Sequence, residues 1–187
     1  MKIWFNLILV FMTSSLAWTA PKQIGVCSTC HGQNGLAIQK NWPNLNGQSA
    51  QYMLKQLQDY KSGKRIAPLM QPYAQMLNEQ DMLELAQFYA NLPAQTSFKK
   101  SAPTLYRQGD HQKRIPACSA CHGPQGNGND FAKFPKLLGQ NQAYLLEQLQ
   151  AFKNHQRQND PYHMMQDISQ RMTQKDMEDI SEFLASD

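Results

Sequence analysis

Apolar side chains recur at helical spacing in two long stretches, residues 48–62 and 140–154, whose leucines, tyrosines and other aromatics predict one helix apiece. Gly63 follows the first stretch, where a left-handed residue would end a helix. Two further helices are expected to begin at Asn78 and Thr173. Each has an aspartate three residues on, Asp81 or Asp176, as in a capping box with Asp in place of Glu. Met82, Leu85 and Phe88 in one, and Met177, Ile180 and Leu184 in the other, form the stripes these helices would bury. No stretch of β-branched residues alternates with period two, so the expected fold class is all-α.

These elements come in pairs. Pro43-Asn44-Leu45-Asn46-Gly47-Gln48 matches Pro135-Lys136-Leu137-Leu138-Gly139-Gln140. Tyr52, Leu54, Gln56, Leu57, Gln58 and Lys61 recur 92 positions later as Tyr144, Leu146, Gln148, Leu149, Gln150 and Lys153. Asp81-Met82 recurs as Asp176-Met177 at an offset of 95. The chain therefore reads as a duplication. Its expected parts are a leader at 1–17, a first domain at 18–95 and a second at 96–187, joined near 92–104 where Pro93, Ser97, Lys99, Lys100, Ser101 and Pro103 make a linker. About eighty residues per half is marginal for a core built of protein alone.

The leader is read from Met1-Lys2 followed by ten apolar-rich residues, IWFNLILVFM, a length suited to a signal peptide and short of the about 20 residues a membrane span needs. Cleavage is expected after Ala17, because a cut after Ala20 would put Trp18 where a small residue is wanted. A retained N-terminal anchor is the competing reading. Cleavage removes one lysine and no acid, lowering the net charge from +4 to +3. With no run of basic residues interleaved with aromatics, the sequence excludes tracking of a nucleic-acid backbone.

The chemistry lies in a third repeated pair, Cys27-Ser28-Thr29-Cys30-His31 and Cys118-Ser119-Ala120-Cys121-His122, each followed by glycine (Gly32, Gly123). CxxCH is the attachment signature of haem c. Two thiols on one helical turn reach the two vinyl groups of one porphyrin, and the next imidazole becomes the proximal iron ligand. A zinc ribbon would place its second CxxC roughly 15–20 residues after the first, whereas Cys27 and Cys118 lie 91 apart. A thioredoxin-like pair would follow a strand in a βαβ unit, and no Val/Ile-rich run is present for one. Two covalent haems c per chain are expected. Their porphyrins would complete the two small cores, and their four propionates would bring the holoprotein near neutrality. Cys27, the first cysteine, is committed to this motif and so is not expected to carry a lipid.

The sixth ligand decides between electron transfer and activation of a small molecule. Met70 and Met165 each stand eleven residues before the aspartate of a capping box, in what reads as an irregular loop flanked by Pro68 and Pro72 or following Pro161. They are the expected distal ligands, ahead of Met76, of Met164 one residue out of register, and of His163, which has no counterpart in the first half. Met53, Met82, Met172 and Met177 fit apolar helix faces, and His111 and His155 read as surface residues. Pro43 and Pro135, 12 and 13 residues after the proximal histidines, mark segments whose carbonyls could accept the imidazole Nδ1 proton.

Residues 22–187 resemble the dihaem cytochrome c4 family, a duplicated class I c-type cytochrome. The resemblance is carried by GVCSTCHG, WPNLNGQSAQYMLKQLQDYKSG, Met70 with NEQDMLELAQFYANL, IPACSACHGPQGNGND, FPKLLGQNQAYLLEQLQAFKN, and Met165 with TQKDMEDISEFLAS. It implies two helical class I domains related by a pseudo-twofold axis, with His/Met ligation at both irons. Cysteines 27, 30, 118 and 121, histidines 31 and 122, and methionines 70 and 165 would hold the haems. The implied role is a periplasmic electron carrier, itself no enzyme, delivering toward a terminal oxidase. Its expected partners are membrane or periplasmic redox proteins: an oxidase, a quinol-oxidising complex or a flavoprotein, with peripheral membrane association compatible. The alternative is the dihaem subunit of a flavocytochrome dehydrogenase of the sulfide-oxidising type, and a dihaem peroxidase would be longer. The sequence departs from the family at one point: with cleavage after Ala17 only nine residues precede Cys27, so the usual N-terminal helix of the first domain is expected to be short.

Overall fold

The computed structural model describes residues 20–94 and 101–185. The expected leader at 1–17 and the linker residues Ser97, Lys99 and Lys100 lie outside them. Nine α-helices and no strands occur among the described residues: α1 Ile24–His31, α2 Ala50–Ser62, α3 Gln71–Met76, α4 Glu79–Ala90, α5 Thr104–Gln108, α6 Cys118–His122, α7 Gln142–Lys153, α8 Met164–Arg171 and α9 Gln174–Leu184. None is long and apolar enough to cross a membrane.

Local chemistry fixes the long helices. The Ser49 side chain accepts the Tyr52 amide at 3.0 Å to start α2, and Gly63 at φ +77° ends it. Both predicted capping boxes are formed: Asn78 and Asp81 exchange hydrogen bonds at the start of α4, as Thr173 and Asp176 do at the start of α9. A cap of this kind is worth about 1 kcal/mol.

Each half has its own core. In the first, Met53, Leu77, Met82, Leu85, Ala86 and Tyr89 pack together where α2 meets α4. In the second, Tyr106, Ile115, Leu145, Met172, Met177, Ile180, Phe183 and Leu184 do so where α7 meets α9. Burying one such Leu or Met side chain contributes about 2 kcal/mol. The turn before each long helix is tied to the last helix of its own half, Gly47 N–H to Tyr89 O at 2.8 Å and Gly139 N–H to Leu184 O at 2.9 Å.

The segments carrying Met70 and Met165 differ from the expected irregular loops. They fold as the short helices α3 and α8. Pro72 sits in the first turn of α3, where a missing N–H costs nothing, so it starts the helix. Lys61 of α2 donates Nζ–H to Leu77 O, and Lys153 of α7 donates to Met172 O at 2.5 Å. Each lysine thus places its charge at the negative end of a methionine-bearing helix.

Candidate haem sites

Cys27, Cys30 and His31 share α1, and Cys118, Cys121 and His122 share the single turn of α6. No disulfide joins the four cysteines, so all four thiols are available to a cofactor. Before a cofactor is attached, burial pushes the Cys27 thiol up, and Cys118 up to about 11. Each motif ends on a glycine with positive φ, +71° at Gly32 and +81° at Gly123. At Gly32 a Cβ would fall 2.1 Å from Leu36 O, so no other residue fits this turn.

The two histidines are buried and identically held. His31 Nδ1 lies 3.0 Å from Pro43 O, and His122 Nδ1 lies 3.0 Å from Pro135 O. A carbonyl only accepts, so Nδ1 of each ring carries the proton and Nε2 presents its lone pair. Burial lowers both imidazole pKa values and outweighs the carbonyl bond, which acts the other way. Each ring is therefore a neutral, oriented nitrogen donor, the form a metal requires.

Met70 is half-buried immediately before α3, its N–H on Ala67 O at 2.9 Å and its own carbonyl accepting from Ala74 N–H at 3.0 Å. Met165 is half-buried in the first turn of α8 and donates its amide to Asp160 Oδ2 at 2.8 Å. Tyr162 and His163 precede α8 with left-handed backbone, φ +54° and +57°, which costs non-glycine residues about 1 kcal/mol each. His163 is exposed and accepts from Gln166 Nε2 at 2.6 Å, and Met76 is exposed on α3. Met53, Met82, Met172 and Met177 lie in the two cores, as expected.

Between the halves lies a polar cluster that sequence reasoning missed. The Arg65 guanidinium donates to Gln56 Oε1, Tyr144 Oη and Gln148 Oε1 at 2.8–2.9 Å. Arg157 mirrors it, donating to Gln148 Oε1, Tyr52 Oη and Gln56 Oε1 at 2.8–3.1 Å. Arg65 stacks on the Tyr60 ring and Arg157 on the Phe152 ring. Burial raises the Tyr52 phenol, but the charges of Arg157 and Arg65 outweigh it and hold the group below its usual range. A signal was present: Tyr52, Gln56, Tyr144 and Gln148 recur in register, and polar residues repeated on a helix face ask for more than solvation.

These features fit haem. The two buried guanidiniums have only neutral acceptors around them and would welcome an anion, and the one buried carboxylate among the described residues, Asp59, is taken by Lys55 and Asn159. Two porphyrins supply four propionates. Free thiols three apart on a helix and a neutral imidazole beside them complete the donor set.

Such a fold, with one CxxCH helix in each of two helical halves, defines a tandem c-type cytochrome. The cytochrome c family model matches residues 22–93 and again 100–186. Cytochrome c4 of Thiocapsa roseopersicina is 38% identical over 169 residues, covering 87% of this chain and 88% of that protein. A thiosulfate dehydrogenase electron acceptor of Stutzerimonas stutzeri is 35% identical, covering 86% and 78%. The crystal structure of reduced cytochrome c4 from Pseudomonas stutzeri superposes with a TM-score of 0.81 at 33% identity, covering 88% and 95%. The chain belongs to the cytochrome c4 family. It is a dihaem electron-transfer cytochrome that holds two haems c.

Proposed function

We propose that this chain is a periplasmic electron carrier of a respiratory chain, delivering toward a terminal oxidase, with no catalytic residue of its own. The observation that carries the proposal is the pair of buried, neutral imidazoles of His31 and His122, each oriented through Nδ1 by a proline carbonyl. Cys27 and Cys30 anchor the first haem and Cys118 and Cys121 the second, in domains spanning 18–95 and 96–187 behind a leader cleaved after Ala17. His31 and Met70 would hold the iron in one half, His122 and Met165 in the other. Arg65 and Arg157 would meet the propionates.

Haem c supplies an iron that passes between ferric and ferrous states by one electron. The protein's part is to keep that change cheap. The proximal carbonyls fix ring orientation, and Met70 at the start of α3 and Met165 in α8 are backed by helices closed by Lys61 and Lys153. Were Met70 and Met165 to hold the irons opposite the two histidines, no site would be left open for a small-molecule substrate.

The test is a spectroelectrochemical titration of the purified holoprotein joined to carbon monoxide binding and stopped-flow oxidation by membranes. Two one-electron steps, slow carbon monoxide binding and fast oxidation are expected. Fast carbon monoxide binding to either native haem would move the assignment toward an enzyme. Similarity to the thiosulfate dehydrogenase electron acceptor of Stutzerimonas stutzeri favours a second reading, acceptance of electrons from a dehydrogenase that oxidises a sulfur compound. Mixing with such a dehydrogenase and its substrate separates the two, since only the second reading expects reduction at a rate matching turnover.

A further inference from the structure

The peptide group that holds each proximal histidine is itself held by the opposite half. Pro43 C=O accepts from His31, and the N–H of that same peptide, on Asn44, donates to Gln140 Oε1 at 2.7 Å. Gln140 Nε2 donates back to Asn44 O at 2.9 Å. The second half repeats the arrangement with roles exchanged. Pro135 C=O accepts from His122, Lys136 N–H donates to Gln48 Oε1 at 2.8 Å, and Gln48 Nε2 donates to Lys136 O at 2.8 Å.

Both glutamines are buried. Their amide orientation is forced, because each Oε1 also accepts the N–H of the following residue, Asn141 or Ser49, at 2.9 Å. Hydrogen bonds in series polarise one another in a low-dielectric interior. When Gln140 draws on the Asn44 N–H, the Pro43 oxygen becomes more negative and takes more of the His31 Nδ1 proton, raising the basicity of the nitrogen opposite.

We infer that Gln140 is a positioning residue for the axial imidazole of the first half, and Gln48 for that of the second. Each half thereby sets the electron affinity of the other's iron. More electron density on an axial imidazole favours ferric iron, so removing either glutamine raises the potential of the haem across the interface. Gain or loss of an electron at one iron changes the pull on its own proline carbonyl, and the change is delivered to a side chain of the other domain. This inference rests on His31 and His122 being the proximal ligands.

The test uses the dihaem holoprotein as wild type, Gln140→Met, Gln48→Met and Gln140→Asn. Spectroelectrochemistry gives the two potentials, and hyperfine-shifted proton resonances of each histidine ring assign them. Gln140→Met is expected to raise the first-half potential, leave the second unchanged and move the His31 Nδ1 proton to higher field. Gln48→Met is expected to do the reverse, with the His122 proton. Gln140→Asn keeps an amide at the interface but is one methylene short of Asn44. It is expected to shift the first-half potential the same way, and it decides the matter if the methionine variant does not accumulate. A shift confined to the substituted half, an equal shift of both haems, or no shift overturns the inference. If the underlying ligand assignment is wrong, the wild-type rings show no hyperfine-shifted resonances at all, which is distinct from rings that are ligated and potentials that ignore the glutamines.

Discussion

Arg65 and Arg157, 92 residues apart, share both of their glutamine acceptors: Gln56 Oε1 takes a hydrogen bond from each, and so does Gln148 Oε1. Two like charges are thus gathered on two neutral amides at the meeting of the halves. Replacing Arg157 by Ala strips charged donors from Tyr52, Gln148 and Asn159. A loss of about 2–3 kcal/mol is expected, since hydrogen bonds to charged groups are worth more than neutral ones. Chemical denaturation of the holoprotein measures it. Arg157→Lys should recover little, because an ammonium cannot reproduce the planar fork.

Replacing Cys27 and Cys30 by Ala is expected to halve the covalent haem content and leave the second half loaded. The two cores are separate clusters, so loss of one cofactor does not dissolve the other half. Haemochrome analysis with a haem-stained denaturing gel reads this directly. Two retained haems would remove these cysteines from the attachment site.

Met70→Ala and Met165→Ala should each abolish the sulfur-to-iron charge-transfer band of one haem and lower its potential, because a thioether favours ferrous iron. Asp160 offers a finer probe. Its Oδ2 accepts the amides of Met165 and Gln166 at 2.8 and 3.1 Å, pinning the start of α8 after two left-handed residues. Asp160→Ala is expected to weaken that band in the second-half haem alone. An unchanged band in Met165→Ala, with a changed one in Met164→Ala, would shift the ligand by one residue.

Asp176 makes acid stability testable. Burial pushes its carboxyl up, but hydrogen bonds from Lys113 and from Thr173 outweigh this and hold it below the usual range. Above the unfolded value of about 3.9 the group is ionised in both states, and its contribution is complete. As pH falls below that value the unfolded chain takes up a proton before the folded one does, so the contribution drains away through the folded pKa. Asp176→Asn keeps an acceptor for the Thr173 N–H but removes the charge that faces Lys113, and should cost up to about 1 kcal/mol at pH 7. Thermal melts between pH 3 and 5 should then show a shallower acid decline than in the wild-type protein.

The two capping boxes and Gly63 were legible because they depend on residues a few positions apart. The proline carbonyls were legible because Pro43 and Pro135 occupy equivalent places after the histidines. The short helices around Met70 and Met165 were not. Prolines at 68, 72 and 161 read as breakers, whereas Pro72 begins a helix whose far end is closed by Lys61, a residue of another element. The interface was hidden for a similar reason. Asn141 stands where a cap for α7 belongs, yet its side chain crosses to Trp42 O at 2.7 Å, a use that no local pattern announces.

The reciprocal hold of Gln48 on residue 136 and Gln140 on residue 44 carries a meaning for descent as well as for electrons. Each half bears both the gripping side chain and the gripped backbone. Two identical copies of one half would satisfy each other by the same bonds, which is the form of a self-complementary homodimer contact. Joining the copies in one polypeptide turns that encounter into an intramolecular one, governed by linker length instead of dilution. Once so joined, the two surfaces are free to diverge without losing each other. Position 44 as Asn and position 136 as Lys record that freedom: the glutamines grip main-chain atoms at both, while the Asn44 side chain has gained a bond of its own across the halves, Nδ2–H to Gly139 O at 2.9 Å.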